Sequence, residues 1–333
     1  MNQRIQVALP LWLDRPDAEA LDIAQTVRDA GLGTLWIGEM AIFDGFALAT
    51  AIGLRVPGLR LKVGPLPISV RNPVSIALGA SSVASLTGSP VDVALGASSP
   101  PIVGGWHGRD WSHGAVRMRE TIECLGPILK GERSAYDGKF VQSTGFRLRH
   151  PLPEARIAVG AFGPNMCRVA ARLADEVVLN LVSPQRVREV RCQIDADAAA
   201  AGRTPPQLTV WVPLALSPGR AALRQMSSQL AVYLVPPGYG EMFCELGFAD
   251  LVTRARAGQR RSETAAAIPV ELIAQVAAIG SAAQITARLR EYLDAGADTV
   301  AVAPATAEDP GGVAALSCVS SYQHFPSKKE ITI

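Results

Sequence analysis

The chain has 333 residues, of which 48% are hydrophobic, and its formal net charge at neutral pH is +2. This length fits two average domains or one large α/β barrel, and the hydrophobic content excludes global disorder. A net charge this close to zero argues against nucleic acid or a membrane surface as the main partner. The five cysteines are scattered and form no CxxC pair, so we expect neither a disulfide framework nor a metal site.

The N-terminus leads into a predicted strand without the pattern of a signal peptide. No window reaches 18 unbroken apolar residues, which a membrane-spanning helix would require. We therefore expect a cytoplasmic protein that acts on a small molecule.

Short apolar runs that alternate with helical patterns predict eight strands, at residues 5–9, 35–37, 61–66, 91–95, 156–160, 176–181, 208–212 and 299–303. Between them, a helix is predicted from about Pro16 to Gly31, Asn72 is predicted to cap another, and Ser281 begins a capping box for the last one. The runs are apolar enough for burial on both faces, which favours a parallel (β/α)8 TIM barrel. A doubly wound open sheet is the alternative, but no GxGxxG follows the first strand.

Residues 1–320 are predicted to form a single barrel domain, and two segments depart from the repeat. Residues 131–154 are polar, and residues 234–268 are poorly periodic. We interpret 234–268 as an insertion, either a flap beside the barrel mouth or a surface decoration without a role. Residues 321–333 are predicted to be a polar C-terminal tail.

Two turns rich in small residues follow the fourth and fifth predicted strands. The first contains Gly96, Ala97, Ser98 and Ser99, and the second contains Gly160, Ala161, Phe162 and Gly163. Small residues expose backbone amides, and the second turn opens a helix whose dipole favours an anion. Because strand ends meet at one end of a barrel, the turns predict a shared phosphate site; the alternative is that they are merely tight turns.

Motifs that carry chemistry without a cofactor are missing. There is no HExxH, no Walker loop and no recognisable Ser–His or Cys–His frame, and the four histidines are dispersed. We therefore expect a bound cofactor to carry the reaction.

Four segments together resemble the coenzyme F420-dependent oxidoreductase branch of the bacterial luciferase-like superfamily. They are GLGTLWIGE at 31–39, VGPLPISVRNP at 63–73, LGASS at 95–99, and AFGP followed by LADEVVLN within 161–180. The resemblance implies a barrel with insertions that binds a deazaflavin, or alternatively FMN, at the carboxyl ends of its strands. It also implies a homodimer.

The resemblance further implies that the cofactor ring rests on a bulge in the third strand, at a cis peptide. Here that bond is Gly64–Pro65, which we expect to be cis, since the cis form costs less before proline than before other residues. The two small-residue turns would hold the phosphate. Glu39 would lie beside the ring, and Asn180 would lie near its far side.

One position departs from the family pattern. Several deazaflavin enzymes of this family have an Asp–His pair where this chain has Glu39 and Met40, so the role of that histidine cannot be transferred. The candidate acids are then Glu39 and His107. Trp12, Trp106 and Trp111 are candidates for an apolar substrate pocket, with packing under loops as the alternative. Arg71 and Arg109 are candidates to meet an acidic cofactor tail.

The sequence thus predicts an oxidoreductase that transfers a hydride between deazaflavin C5 and a small organic substrate. The first alternative is an FMN-dependent monooxygenase on the same barrel. The second is a flavin- or deazaflavin-binding protein without catalysis.

Overall fold

A closed parallel barrel forms the centre of the computed structural model, which describes residues 4–10, 12–39 and 41–321. The strands in this part of the chain are β1 Ile5–Ala8, β2 Thr34–Ile37, β3 Arg60–Pro67, β4 Val91–Gly96, β5 Ala135–Asp137, β6 Gln142–Thr144, β7 Ile157–Gly160, β8 Glu176–Asn180, β9 Gln207–Leu216, β10 Ala278–Gly280 and β11 Thr299–Pro304. Eight of them pair in the order β11-β1-β2-β3-β4-β7-β8-β9, and β9 closes the circle by pairing with β11. The predicted TIM barrel is confirmed.

The helices cover the outside of the barrel. In the described residues they are α1 Glu19–Asp29, α2 Gly45–Arg55, α3 Pro73–Thr87, α4 Gly114–Leu129, α5 Pro164–Leu173, α6 Pro184–Ala200, α7 Arg220–Tyr233, α8 Tyr239–Glu245, α9 Ala249–Arg256, α10 Arg261–Ala267, α11 Val270–Val276, α12 Ala282–Asp294 and α13 Val313–Ser320. Within this part of the chain, no helix has the length and apolar character that a bilayer crossing requires.

Both predicted caps are present. The Asn72 side chain accepts a hydrogen bond from the amide of Ser75 at the start of α3. Ser281 and Gln284 form a reciprocal capping box at the start of α12. Helix α1, in contrast, begins at Glu19, later than the predicted Pro16.

Several short elements were not predicted from the sequence. β5 and β6 form an antiparallel hairpin within residues 131–154, β10 pairs with the end of β9, and α13 follows α12, so α12 is not the last helix. The segment 234–268 contains three helices of seven or eight residues, which are too short to display a helical period. Of the predicted tail, residues 322–333 lie outside the described residues.

Small side chains line the barrel interior, and two indole rings fill the space that they leave. The small inward-facing residues are Ala8, Ala94, Ala158, Val178, Ala301 and Ala303. Trp36 and Trp211 meet edge to face with their ring centroids 5.5 Å apart. The interior is therefore a packed core and not a channel.

A buried ion pair also crosses this interior. Lys62 Nζ lies 2.6 Å from Glu176 Oε2, and the two side chains are only 4% and 1% exposed. Glu176 accepts a further hydrogen bond from Thr209, and the Lys62 ammonium lies 4.4 Å from the centre of the Trp36 ring. Because β4 and β7 separate β3 from β8, the pair ties together two distant parts of the barrel wall.

Replacing Lys62 with methionine leaves the Glu176 carboxylate buried without its counter-ion. We expect the free energy of unfolding to fall by about 3–5 kcal/mol, and the double variant Lys62→Met/Glu176→Leu to recover most of it. Urea denaturation at neutral pH measures both. The control is Glu263→Gln in the exposed Arg260–Glu263 pair, where we expect a change within about 0.5 kcal/mol. A Lys62→Met protein as stable as the parent would contradict this account.

Candidate functional site

The third strand approaches its neighbour unusually closely at the barrel mouth. The pairing of β3 with β4 shifts register between Val63 and Leu66, and the Gly64–Pro65 peptide inside this bulge is cis, as expected. Gly64 has φ +125°, and a Cβ on it would lie 2.2 Å from the carbonyl oxygen of Ala94. Only glycine fits there, because any side chain would collide with the backbone of β4.

The Pro65 ring lies where three strand ends meet. A Cβ added to Gly96 would lie 2.9 Å from Pro65 Cβ, and one added to Gly160 would lie 3.7 Å from Pro65 Cγ. The ends of β3, β4 and β7 therefore form a floor of small residues, and the two small-residue turns border it side by side. We call Gly64, Pro65, Gly96 and Gly160 the glycine floor.

The turn after β4 is held from one side by a tryptophan. Trp111 Nε1 lies 3.1 Å from the carbonyl oxygen of Ala97 and 3.2 Å from that of Ser98, within hydrogen-bonding distance of both. Ser98 has φ +58°, so the chain reverses sharply there. The amides of Ser98 and Ser99 donate to no acceptor in the described residues, which leaves them able to bind a ligand.

The turn after β7 leads directly into a helix without a side-chain cap. Gly163 is the N-cap of α5 and Pro164 is its first residue. Within the described chain, the amides of Asn165 and Met166 have no acceptor. Unpaired first-turn amides and the helix dipole together make this helix start suitable for an anion.

Glu39 is already paired at the end of β2. Arg71 donates to both of its carboxylate oxygens, through Nε at 2.9 Å and through Nη2, and the Gly45 amide donates to Oε2. Arg71 also binds Asp44, which caps α2. Hydrogen bonding to Glu39 raises the pKa of Arg71 despite its partial burial. As it stands, the Glu39 carboxylate is the partner of a fixed cation, and its predicted catalytic role stays a prediction.

Asn180 lies at the opposite side of the mouth. It ends β8, which is four strands from β2 in the barrel order. Tyr233 at the end of α7 and Tyr239 at the start of α8 approach its side chain. The Tyr239 ring lies 4.5 Å from that of Phe162 and 4.8 Å from that of Tyr233. The start of the 234–268 segment therefore packs against the end of β7 and reaches the mouth.

The remaining candidates occupy different surroundings. Trp12 is buried, and its indole N–H donates to the carbonyl of Pro304 at 2.8 Å. Trp106 is 62% exposed on the π-helical turn Pro101–Trp106, and His107 and Arg109 beyond it are exposed as well. The structure thus does not gather the three tryptophans into one apolar wall, and the roles of Trp12, Trp106, Trp111 and His107 stay predictions.

Sequence reasoning missed Tyr233, Tyr239 and Trp211. The indole N–H of Trp211 is buried in the barrel and has no hydrogen-bond partner among the described residues. Trp211 pairs with Asn180 across β8 and β9, which places it at the same end of the barrel. Tyr233 and Tyr239 flank a Pro-Pro-Gly loop, but only the folded chain reveals that they face Asn180. In residues 4–10, 12–39 and 41–321, no three His, Cys, Asp or Glu side chains are grouped to hold a metal.

Known proteins resemble this chain in sequence and in fold. The sequence model of the family described as luciferase-like monooxygenase matches residues 9–299. A Mycobacterium tuberculosis protein named as a coenzyme F420-dependent oxidoreductase is 23% identical over 95% of this chain and 99% of its own.

Two solved structures share the fold at low sequence identity. The coenzyme F420-dependent tetrahydromethanopterin reductase of Methanopyrus kandleri has a TM-score of 0.79 and 16% identity, covering 96% of this chain and 98% of its own. The oxygenating constituent of the Pseudomonas putida 3,6-diketocamphane monooxygenase, in complex with FMN, has a TM-score of 0.70 and 17% identity, covering 98% of this chain and all of its own.

The close approach of Gly64 to β4 allows a prediction about stability that can be tested without a ligand. We expect Gly64→Ala to lower the free energy of unfolding by more than about 3 kcal/mol, because the methyl group combines a positive φ with a backbone collision. The matched control is Gly202→Ala, at φ +65° with nothing within 4 Å, where we expect about 1–2 kcal/mol. Thermal or urea unfolding measures both. Equal losses in the two variants would show that the close approach to Ala94 costs nothing.

Proposed function

The chain belongs to the luciferase-like monooxygenase family, and we propose that it is an oxidoreductase that binds coenzyme F420 and transfers a hydride between deazaflavin C5 and a small organic substrate. The observation that carries this proposal is the glycine floor, where three strand ends present almost no side-chain bulk around Pro65. A flat ring needs such a surface, and larger side chains at these positions would occupy it. The residues present therefore fit a flavin-type ring.

The phosphate-bearing arm of the cofactor also has a binding position beside the glycine floor. The unpaired amides of Ser98, Ser99, Asn165 and Met166 would hold its phosphate. The N–H of Trp211 is a second point of fit, since a buried donor without a partner costs about 1–3 kcal/mol and a ligand oxygen would satisfy it. Glu39 and Asn180 would lie at opposite edges of the ring.

When bound, the deazaflavin supplies a carbon centre that gives or accepts a hydride. The protein's contribution is to hold the substrate carbon facing the ring and to exclude water from the mouth. Three packed rings serve this role along one side of the mouth. They are Phe162 after β7, Tyr233 at the end of α7 and Tyr239 at the start of α8.

Deazaflavin is favoured by the mycobacterial relative, which is named for coenzyme F420 and matches nearly the whole chain. An FMN-dependent monooxygenase is the second candidate, and the fold neighbour in complex with FMN is the observation that favours it. A binding protein without catalysis is the third, because Glu39 is engaged by Arg71 and carries no neighbouring histidine. A homodimer and a cytoplasmic location are further parts of the proposal.

Cofactor choice is tested by titrating the purified protein separately with coenzyme F420 and FMN and following fluorescence quenching. We expect micromolar or tighter binding of F420 and turnover of reduced F420 with members of a panel of enones, imines and alcohols. Gly96→Ala should weaken F420 binding at least tenfold, because its methyl group displaces Pro65. Gly126→Ala, whose methyl group meets open space, is the control. Micromolar FMN binding with none for F420 would refute the choice of cofactor, and F420 binding without turnover would favour a carrier.

The phosphate turn is tested with Ser98→Gly. Glycine adopts φ +58° readily, so we expect the unfolding temperature to stay unchanged while the dissociation constant of the cofactor rises about tenfold, because one hydrogen bond to an anion is lost. Ser217→Gly makes the same change at φ +45° beside β10 and should leave binding unaltered. If Ser98→Gly and the parent protein bind the cofactor with equal affinity, the Ser98 hydroxyl does not contact the cofactor.

A further inference from the structure

Two tyrosine hydroxyls and one amide meet on the side of the barrel mouth opposite Glu39. Asn180 has the same strand parity as Glu176 and Val178, whose side chains both lie inside the barrel. Its amide therefore faces the mouth. Tyr233 ends α7 and Tyr239 begins α8, so the two phenols approach the amide from the two ends of the loop that joins these helices.

The hydroxyl protons of Tyr233 and Tyr239 are not needed for the contact of these residues with Asn180. A side-chain amide carries two N–H donors, so Asn180 can serve both phenol oxygens at once. Asn180 is the one hydrogen-bonding side chain beside either hydroxyl in the described residues. Two phenol protons are thus available to a ligand at the mouth.

Both phenols stay protonated at neutral pH. Burial raises the pKa of both phenols, and in Tyr239 the neighbouring Tyr233 adds to the rise because it opposes a second negative charge. Hydrogen bonding by Asn180 acts in the opposite direction and is outweighed. The pair consequently offers neutral donors, whereas Glu39 across the mouth offers oxygens that Arg71 already occupies.

We propose that Tyr233, Tyr239 and Asn180 form the polar end of the substrate site, where the two phenols donate hydrogen bonds to the oxygen of a carbonyl or hydroxyl substrate. Phe162, whose ring packs on Tyr239, supplies the apolar surface for the body of that substrate. The substrate class is therefore neutral ketones, enones and the corresponding alcohols. This inference rests on the proposed function, because it assigns the substrate end of the same site.

The experiment uses cyclohex-2-enone and acetophenone labelled with 13C at the carbonyl carbon as probes, added to the full-length protein with and without saturating F420. Carbon NMR reports the carbonyl shift and the dissociation constant without any turnover. In the parent protein we expect a downfield carbonyl shift on binding, as hydrogen bonding to the oxygen polarises the C=O bond. In Tyr233→Phe/Tyr239→Phe we expect the shift to vanish and the affinity for the ketones to fall at least tenfold.

Two controls separate hydrogen bonding from packing. Tyr136→Phe removes a hydroxyl that donates to Glu123 on the outer hairpin, and it should leave shift and affinity unchanged. Cyclohexene lacks the oxygen, and its affinity should be equal in the parent protein and the double variant, since phenylalanine retains the rings. The two single variants should each lose part of the shift.

Three results would overturn the inference. They are an undiminished carbonyl shift in the double variant, an equal loss of cyclohexene affinity, or failure of both ketones to bind the parent protein. Fluorescence quenching of F420 on the same samples keeps the proposed function separate. F420 binding without a carbonyl shift refutes only the role of the phenols, and a carbonyl shift without F420 binding refutes only the cofactor.

Discussion

The approach of the Gly64–Pro65 bulge to β4 determines the shape of the barrel mouth. It requires a residue without a side chain at Gly64, because the carbonyl of Ala94 occupies the space of a Cβ. Pro65 lies against Gly96 and Gly160, so that the ends of three neighbouring strands meet with almost no side-chain bulk between them. The two small-residue turns follow directly from the ends of β4 and β7, and amides in both turns have no acceptor among the described residues.

Charge is distributed unevenly around the barrel mouth. On the β2 side, Arg71 pairs with both Glu39 and Asp44, which leaves one negative charge in excess in this cluster. On the β8 side, the polar groups are an amide and two protonated phenols. In the proposed site, this division would place the anionic arm of the cofactor at the turns and a neutral substrate oxygen at the phenols, with the glycine floor between them. The buried Lys62–Glu176 pair lies inside the barrel wall and takes no part in the mouth.

Much of the architecture was predictable because burial on both faces leaves a simple signature. Each barrel strand is a short apolar run, and caps such as Asn72 and Ser281 act within one helical turn. The elements that were missed lack such a signature. The hairpin β5–β6 is polar and is held on α4 by three backbone amides that donate to Glu120, a contact between residues some twenty positions apart. The short helices of 234–268 end before a period can appear.

The amino-acid sequence by itself determined the barrel and the two small-residue turns, since these depend on hydrophobic periodicity and on the local properties of glycine. The cis bond at Pro65 was expected from the family resemblance. Only the tertiary structure decided how the polar side chains are paired. Arg71 and Glu39 are 32 positions apart, and Tyr239 and Asn180 are separated by two helices and a strand. Which of these groups stays free to meet a ligand depends on distances across the mouth, and no local pattern encodes those distances.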